Sequence, residues 1–211
     1  MSARIALACL FAFAVVLSAG CKAPAEQVPT PDVQIATAAD DGPFCIYRDS
    51  MPAIVGFSYG TGSTGQAGLT EDTGPVLIWR TLYRFDLSGW SSGDADFWVY
   101  VMARYGTAPG LEFVAVDDFD SVPTQMLVRG DMSRLWNLVD SGQSLASFFT
   151  EDTGWVHVTV PAARMAAAKS ASGWLGLVVK AGSEQIVPGN VQHLATFEGT
   201  SAGVPLPFLA W

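Results

Sequence analysis

The sequence predicts an all-β protein, an antiparallel β-sandwich of jelly-roll type with one or two short helices. Three observations lead there. Past Pro43 the chain breaks into short apolar stretches separated by Gly, Pro, Asp and Ser. Several stretches alternate strictly: in Trp155–Val160 the valines share one face, while Trp155, His157 and Thr159 share the other, as in a half-buried strand. Finally, the stretches follow one another with turn residues between them and little helical pattern, which suits a sandwich better than strand–helix units.

The elements follow in chain order. Met1 to Cys21 has the form of a bacterial lipoprotein signal. Arg4 supplies the positive start, Ile5–Leu17 an apolar run too short for a bilayer span of about 20 residues, and Ser18-Ala19-Gly20 a small-residue exit. Cys21 follows directly, and its thiol is the expected site of a lipid anchor (a diacylglyceryl group, with palmitate among the acyl chains). Ser18 stands where such signals usually carry Leu. Lys22 after the cysteine points to the outer membrane, by analogy with the enterobacterial sorting rule. Residues 1–20 are therefore expected to leave. Residues 21–42, with three prolines and no periodicity, are read as a flexible tether, and residues 43–211 as the folded domain.

In that domain the expected strands are Phe44–Arg48, Val76–Leu87, Phe97–Tyr105, Leu111–Val116, Trp155–Val160, Leu175–Lys180, Leu194–Phe197 and Pro207–Trp211. The glycine-rich stretch Ser58–Gly74 is read as a long loop. Helices are expected over Asp131–Val139 and Pro161–Ser170, where Pro161 suits a first turn and Gly173 a stop.

Charge and cysteine usage narrow the partners. The chain holds 11 Lys and Arg against 20 Asp and Glu. That balance lacks the cationic footprint that phosphate binding needs, so nucleic acid is not an expected partner. Cys9 leaves with the signal and Cys21 is acylated, so Cys45 alone remains, excluding an internal disulfide or a thiolate metal cluster. Flanked by Phe44 and Ile46, Cys45 reads as a small buried hydrophobe.

Several segments in order resemble one family. Arg80-Thr81-Leu82-Tyr83-Arg84-Phe85-Asp86-Leu87-Ser88 is similar to an Arg-flanked run of the form (S/T)-L-x-R-F-D-L-S. Ala95–Val101 follows as an A-x-L-x-L-Y-V-like strand, and Gly154–Val160 as a G-W-V-x-F-D-V-like strand. A helix (Pro161–Ser170) and Gly173–Lys180 come next, with Ala195–Gly199 and Pro205–Leu209 closing the chain. These segments resemble the DNRLRE family of β-sandwich domains and cover most of residues 76–211. Residues 117–153 depart from it: the family's W-x-E-x-x-x-T-W-x-N signature is replaced by Asp117-Asp118-Phe119-Asp120 and a helical insertion. The resemblance implies a module of secreted or surface proteins whose relatives bind carbohydrate, some of it acidic polysaccharide such as alginate.

Parity supplies the candidate site. With Tyr83, Phe85 and Leu87 inward, Arg80, Arg84 and Asp86 face outward. On the next strand the choice is between Phe97, Val99, Val101 and Ala103 inward, which puts Trp98, Tyr100 and Arg104 outward, and the opposite parity. If the two sets lie side by side they form an arginine-and-aromatic platform suited to a uronic acid, because a guanidinium pairs a carboxylate in two places. The alternative is that these residues pack beneath the loop and the helical insertion, with Arg84 and Asp86 forming an ion pair. Asp117, Asp118 and Asp120 are weak candidates for Ca2+, which prefers several oxygen ligands; a solvated acidic turn is the alternative. No cofactor is otherwise expected.

No catalytic motif is present: there is no H-E-x-x-H, G-x-S-x-G or P-loop, and the two histidines, His157 and His193, read as surface residues. The sequence therefore suggests a non-enzymatic, lipid-anchored envelope protein with a glycan-binding module. A structural or adhesive role with a protein partner is the alternative.

Overall fold

The computed structural model describes residues 27–34, 41–48, 54–59, 64–71, 76–106, 110–116, 121–148, 153–184, 192–198 and 206–211. The strands among them are β1 (Val33–Gln34), β2 (Asp41–Arg48), β3 (Ile54–Tyr59), β4 (Thr64–Glu71), β5 (Val76–Asp86), β6 (Ala95–Gly106), β7 (Leu111–Val116), β8 (Gln143–Phe148), β9 (Gly154–Val160), β10 (Trp174–Ala181), β11 (Gln192–Glu198) and β12 (Phe208–Ala210). The helices are α1 (Pro123–Arg129), α2 (Met132–Asp140) and α3 (Ala162–Ala171).

The strands form an antiparallel sandwich. One sheet runs β3-β2-β5-β10-β7-β8. In the other, β6 is flanked by β9 on one edge and by β11 and then β12 on the other, with β4 and β1 outside them. β4 joins the two sheets, since its residues Gly68–Glu71 also pair with Val76–Trp79 of β5.

The expected parity holds at the centre. Tyr83, Phe85 and Leu87 meet Phe97, Val99 and Val101 between the sheets, all at 0% exposure. Phe97 is the hub, with ring centroids 5.5 Å from Tyr83, 5.7 Å from Phe85 and 5.9 Å from Phe113. A second core lies on the outer face of the first sheet. There Ile78, Leu82, Val114 and Val178 are covered by Met132, Leu135, Trp136 and Val139 of α2. Their spacing of three, four and seven residues puts them on one stripe of the helix. β5 is thus buried on both faces.

All eight expected strands are present, and Leu111–Val116 is matched to the residue. Four strands were not expected. β3 and β4 fall within or beside the glycine-rich stretch Ser58–Gly74, where the sequence predicts a long loop. β4 is a strand because small residues let it lie close across β5: a side chain at Gly65 would come within 2.7 Å of Thr81 Cγ2 and 2.8 Å of the Tyr83 hydroxyl. The Thr81 hydroxyl also donates to Gln66 O at 2.8 Å. Among the described residues there are three helices rather than one or two. The additional one, α1, starts at Pro123 and ends at Gly130, whose φ of 80° is the left-handed conformation that stops a helix.

The boundary of the tether also moves. β2 begins at Asp41, and β1 pairs Val33 with Leu209 and Gln34 with Phe208. Part of the segment expected to be free is therefore an edge strand of the second sheet.

Candidate functional site

The structure separates the expected platform into two halves. Arg80 and Arg84 lie on the outer face of the first sheet, whereas Trp98 and Tyr100 lie on the outer face of the second. Outward positions on opposed sheets of a sandwich point away from each other, so the two sets cannot share a ligand. The expected outward parity holds for Arg80, Arg84, Trp98 and Tyr100, but their adjacency does not.

Arg80 is 2% exposed beneath α2. Its Nε donates to Glu184 Oε1 at 2.9 Å and its Nη2 to Glu184 Oε2 at 2.7 Å, while Nη2 also reaches Asp140 Oδ1 at 2.6 Å. Its guanidinium lies 3.5 Å from the Trp136 ring centroid. A buried charge must be paired, and here two carboxylates and an aromatic face occupy it. Arg84 is 8% exposed, its guanidinium 3.6 Å from the Trp174 ring centroid. The reading in which the arginines pack under the helical insertion fits Arg80.

The aromatics of the second sheet form no open platform either. Phe208, Trp98 and His157 occupy matched positions on β12, β6 and β9. Strands about 4.8 Å apart bring such in-register rings together like plates. Trp98 is nearly parallel to His157 (4.4 Å, 12°) and to Phe208 (6.1 Å, 6°). Both its faces are taken and it is 4% exposed. Trp155 packs edge-on against Trp98, Tyr100 and Phe208, leaving Tyr100 half-buried. Arg104 departs from the expected outward parity. β6 carries an extra residue between Val101 and Ala103, so Arg104 pairs with Ala195, which pairs with the core residue Ala67, and it is half-buried on the inner face.

A different concavity lies at the edge of this sheet. Pro29, Thr30, Asp32, Asp94, Asp96, Thr159, Ala210 and Trp211 line a groove of about 490 Å³. Three strand pairings assemble it: β1 with β12, β12 with β6, and β6 with β9. Each carboxylate is fixed by one oxygen. Asp32 Oδ2 accepts from the Trp211 N–H at 2.7 Å, Asp94 Oδ1 from the Ala162 N–H at 2.7 Å, and Asp96 Oδ1 from the Thr159 hydroxyl at 2.7 Å. An ionised carboxylate offers about four acceptor sites, so each retains capacity for a ligand hydroxyl. Of the seven tryptophans, Trp211 is the most exposed, at 36%. The Asp94 bond also caps the start of α3, which lacks a capping side chain of its own.

Next to the groove, and sharing Pro29 with it, is an apolar hollow of about 220 Å³ lined by Val28, Pro31, Gln34, Trp155, Leu206 and Phe208 as well. Elsewhere Lys169 Nζ donates to the backbone oxygen of Trp90 and closes the end of α3 onto the β5–β6 turn.

Among the described residues, no three His, Cys, Asp or Glu side chains converge as metal ligands. Asp117, Asp118 and Asp120, the calcium candidates, lie outside the described residues, as does Cys21. No described helix is long and apolar enough to cross a membrane. Cys45 is fully buried, as expected. The groove residues were missed because they are scattered along the chain with no spacing signature. Trp211 was the available signal, an aromatic at the end of a strand.

A scan of protein-family models finds no match to this chain, and a search of curated proteins finds none either.

Proposed function

We propose that this chain is a lipid-anchored, non-enzymatic envelope protein whose β-sandwich binds a glycan in the groove beside Trp211. The observation that carries this reading is the exposed Trp211 ring next to three fixed carboxylates and Thr159. An aromatic face takes the C–H side of a sugar, and carboxylates accept its hydroxyls. The likeness to DNRLRE domains supports a carbohydrate-binding module, and the signal at Met1–Cys21 supports an acylated Cys21 that holds it to a membrane. A binding role suits the three carboxylates, because each already anchors the fold through one oxygen.

The ligand class changes with the site. An acidic polysaccharide was expected from arginines beside Trp98, but Arg80 is spent on Glu184 and Asp140. Among the described residues the groove is lined by three carboxylates and no Lys or Arg, and carboxylates repel a uronate. A neutral glycan fits it better. The test is a glycan array probed with the mature chain: neutral oligosaccharides should bind and change the tryptophan fluorescence. Binding confined to polyuronates, or to no glycan, would reject the groove.

The second reading, adhesion to a protein partner, is favoured by α1. Val128 is 87% and Leu127 37% exposed there, and Val128 lines a shallow hollow of about 350 Å³ with Thr124, Gln125 and Arg129. Exposed apolar clusters mark contact surfaces. Loss of a partner on Val128→Asp, with glycan binding intact or absent, would favour this reading.

A further inference from the structure

The segment that follows the acylation site is also a wall of the groove. Pro29, Thr30 and Asp32 line the groove, and Val28, Pro29 and Pro31 line the apolar hollow against Trp155, Leu206 and Phe208. Asp32 is held twice: its N–H donates to Leu209 O at 2.9 Å, and its carboxylate accepts from the Trp211 N–H at 2.7 Å. Pro29 and Pro31 have fixed φ angles and stiffen the stretch between. This docking shortens the free chain. If all of residues 21–42 were free, an extended tether would reach about 75 Å, but from Cys21 to Val28 the chain can span at most about 25 Å.

Resting on the reading of Cys21 as the lipid anchor, we infer that residues 27–34 act as a short strut that holds the groove edge of the sandwich against the membrane. The groove then serves ligands that lie within about 25 Å of that surface, which favours a glycan rooted in the same membrane. Confinement of both partners to one surface gives effective concentrations in the millimolar range, so a shallow groove of modest affinity suffices. The outer face of the first sheet, with α1 and Val128, points the other way.

The test uses the full lipidated protein in phosphatidylethanolamine–phosphatidylglycerol vesicles that carry a rhodamine lipid as energy acceptor. A donor dye is placed at Ser92→Cys, in the exposed turn ahead of Asp94, or at Val128→Cys; Cys45 is buried and stays unlabelled in the native fold. Transfer is expected to be several-fold stronger from position 92 than from position 128. Inserting about twenty Gly and Ser residues between Ala25 and Glu26 should abolish that difference, since such a linker adds roughly 25 Å of mean reach. Equal transfer from both positions, in protein that floats with the vesicles, overturns the strut alone. Flotation that is unchanged by Cys21→Ser, or no flotation at all, overturns the anchor and the strut with it.

Discussion

The guanidinium of Arg80 sits over the indole of Trp136, 3.5 Å from the ring centroid, and this contact joins the outer face of one sheet to α2. Glu184 grips the same group in two places and Asp140 in a third. The arginine is therefore a fastener between β5, α2 and the segment after β10.

Removing it should be costly. Arg80→Ala empties the space beneath α2 and leaves Glu184, 17% exposed, without its partner, so the loss should approach from below the roughly 3–5 kcal/mol of a broken buried pair. Arg80→Lys should recover less than half of this, because an ammonium can neither fork onto a carboxylate nor stack on the ring in the same way. Urea unfolding of the three proteins measures both effects. A loss below about 1 kcal/mol for Arg80→Ala, the range of exposed pairs, would show that the fastener is not needed.

β4 makes a sharper claim about the chain around Gly65. A methyl group there would sit within 3 Å of Thr81 and the Tyr83 hydroxyl, and forcing such overlap typically costs about 1–3 kcal/mol. Gly65→Ala should lower the melting temperature measurably. The same substitution in a free loop would leave it unchanged or raise it slightly.

What the chain made legible, and what it did not, follows from where the information lies. Tyr83, Phe85, Phe97 and Val99 announce their strands because they recur at every second residue, although in β5 the other face is buried as well. β4 is silent for the opposite reason: it packs through Gly65 and Ala67, by having little side chain to show. α1 is brief, and its only marks are Pro123 and Gly130. The platform failed at a different level. Parity along one strand says which way Arg84 and Trp98 point relative to their own sheet, but not that the two sheets face away from each other. The groove was hidden because Asp32, Asp94, Asp96 and Trp211 are brought together only by pairings between β1, β12, β6 and β9.

The ion pair of Glu112 with Lys180, at 3.0 Å, gives the fold an acid-sensitive contact. Burial disfavours the Glu112 carboxylate, but hydrogen bonds from Lys180 and Ser144 and the charges of Lys180 and Arg80 outweigh it. The pKa consequently falls below the ordinary value of 4.5. A group whose folded pKa is depressed contributes stability above its unfolded pKa and loses it as pH falls through the folded value. Lys180→Met should therefore reduce stability at neutral pH and flatten the fall in stability on the acid side of pH 4.5. Chemical unfolding at a series of pH values shows it; an unchanged acid limb would mean that other carboxylates set that slope.

The last expectation separates two tryptophans that a sequence treats alike. Trp98 is 4% exposed, held between His157 and Phe208, whereas Trp211 is 36% exposed over the groove. Truncating a buried aromatic costs about 3–5 kcal/mol, so Trp98→Ala should act first on the melting temperature. Trp211→Ala removes a half-solvated ring while leaving its backbone N–H on Asp32. It should shift stability by well under the buried-ring cost and yet weaken the binding of a neutral oligosaccharide roughly tenfold, the factor that corresponds to about 1.4 kcal/mol. Calorimetric titration beside thermal unfolding reads the two quantities independently. If Trp211→Ala leaves affinity unchanged in a protein that binds, the sugar is not seated on that ring.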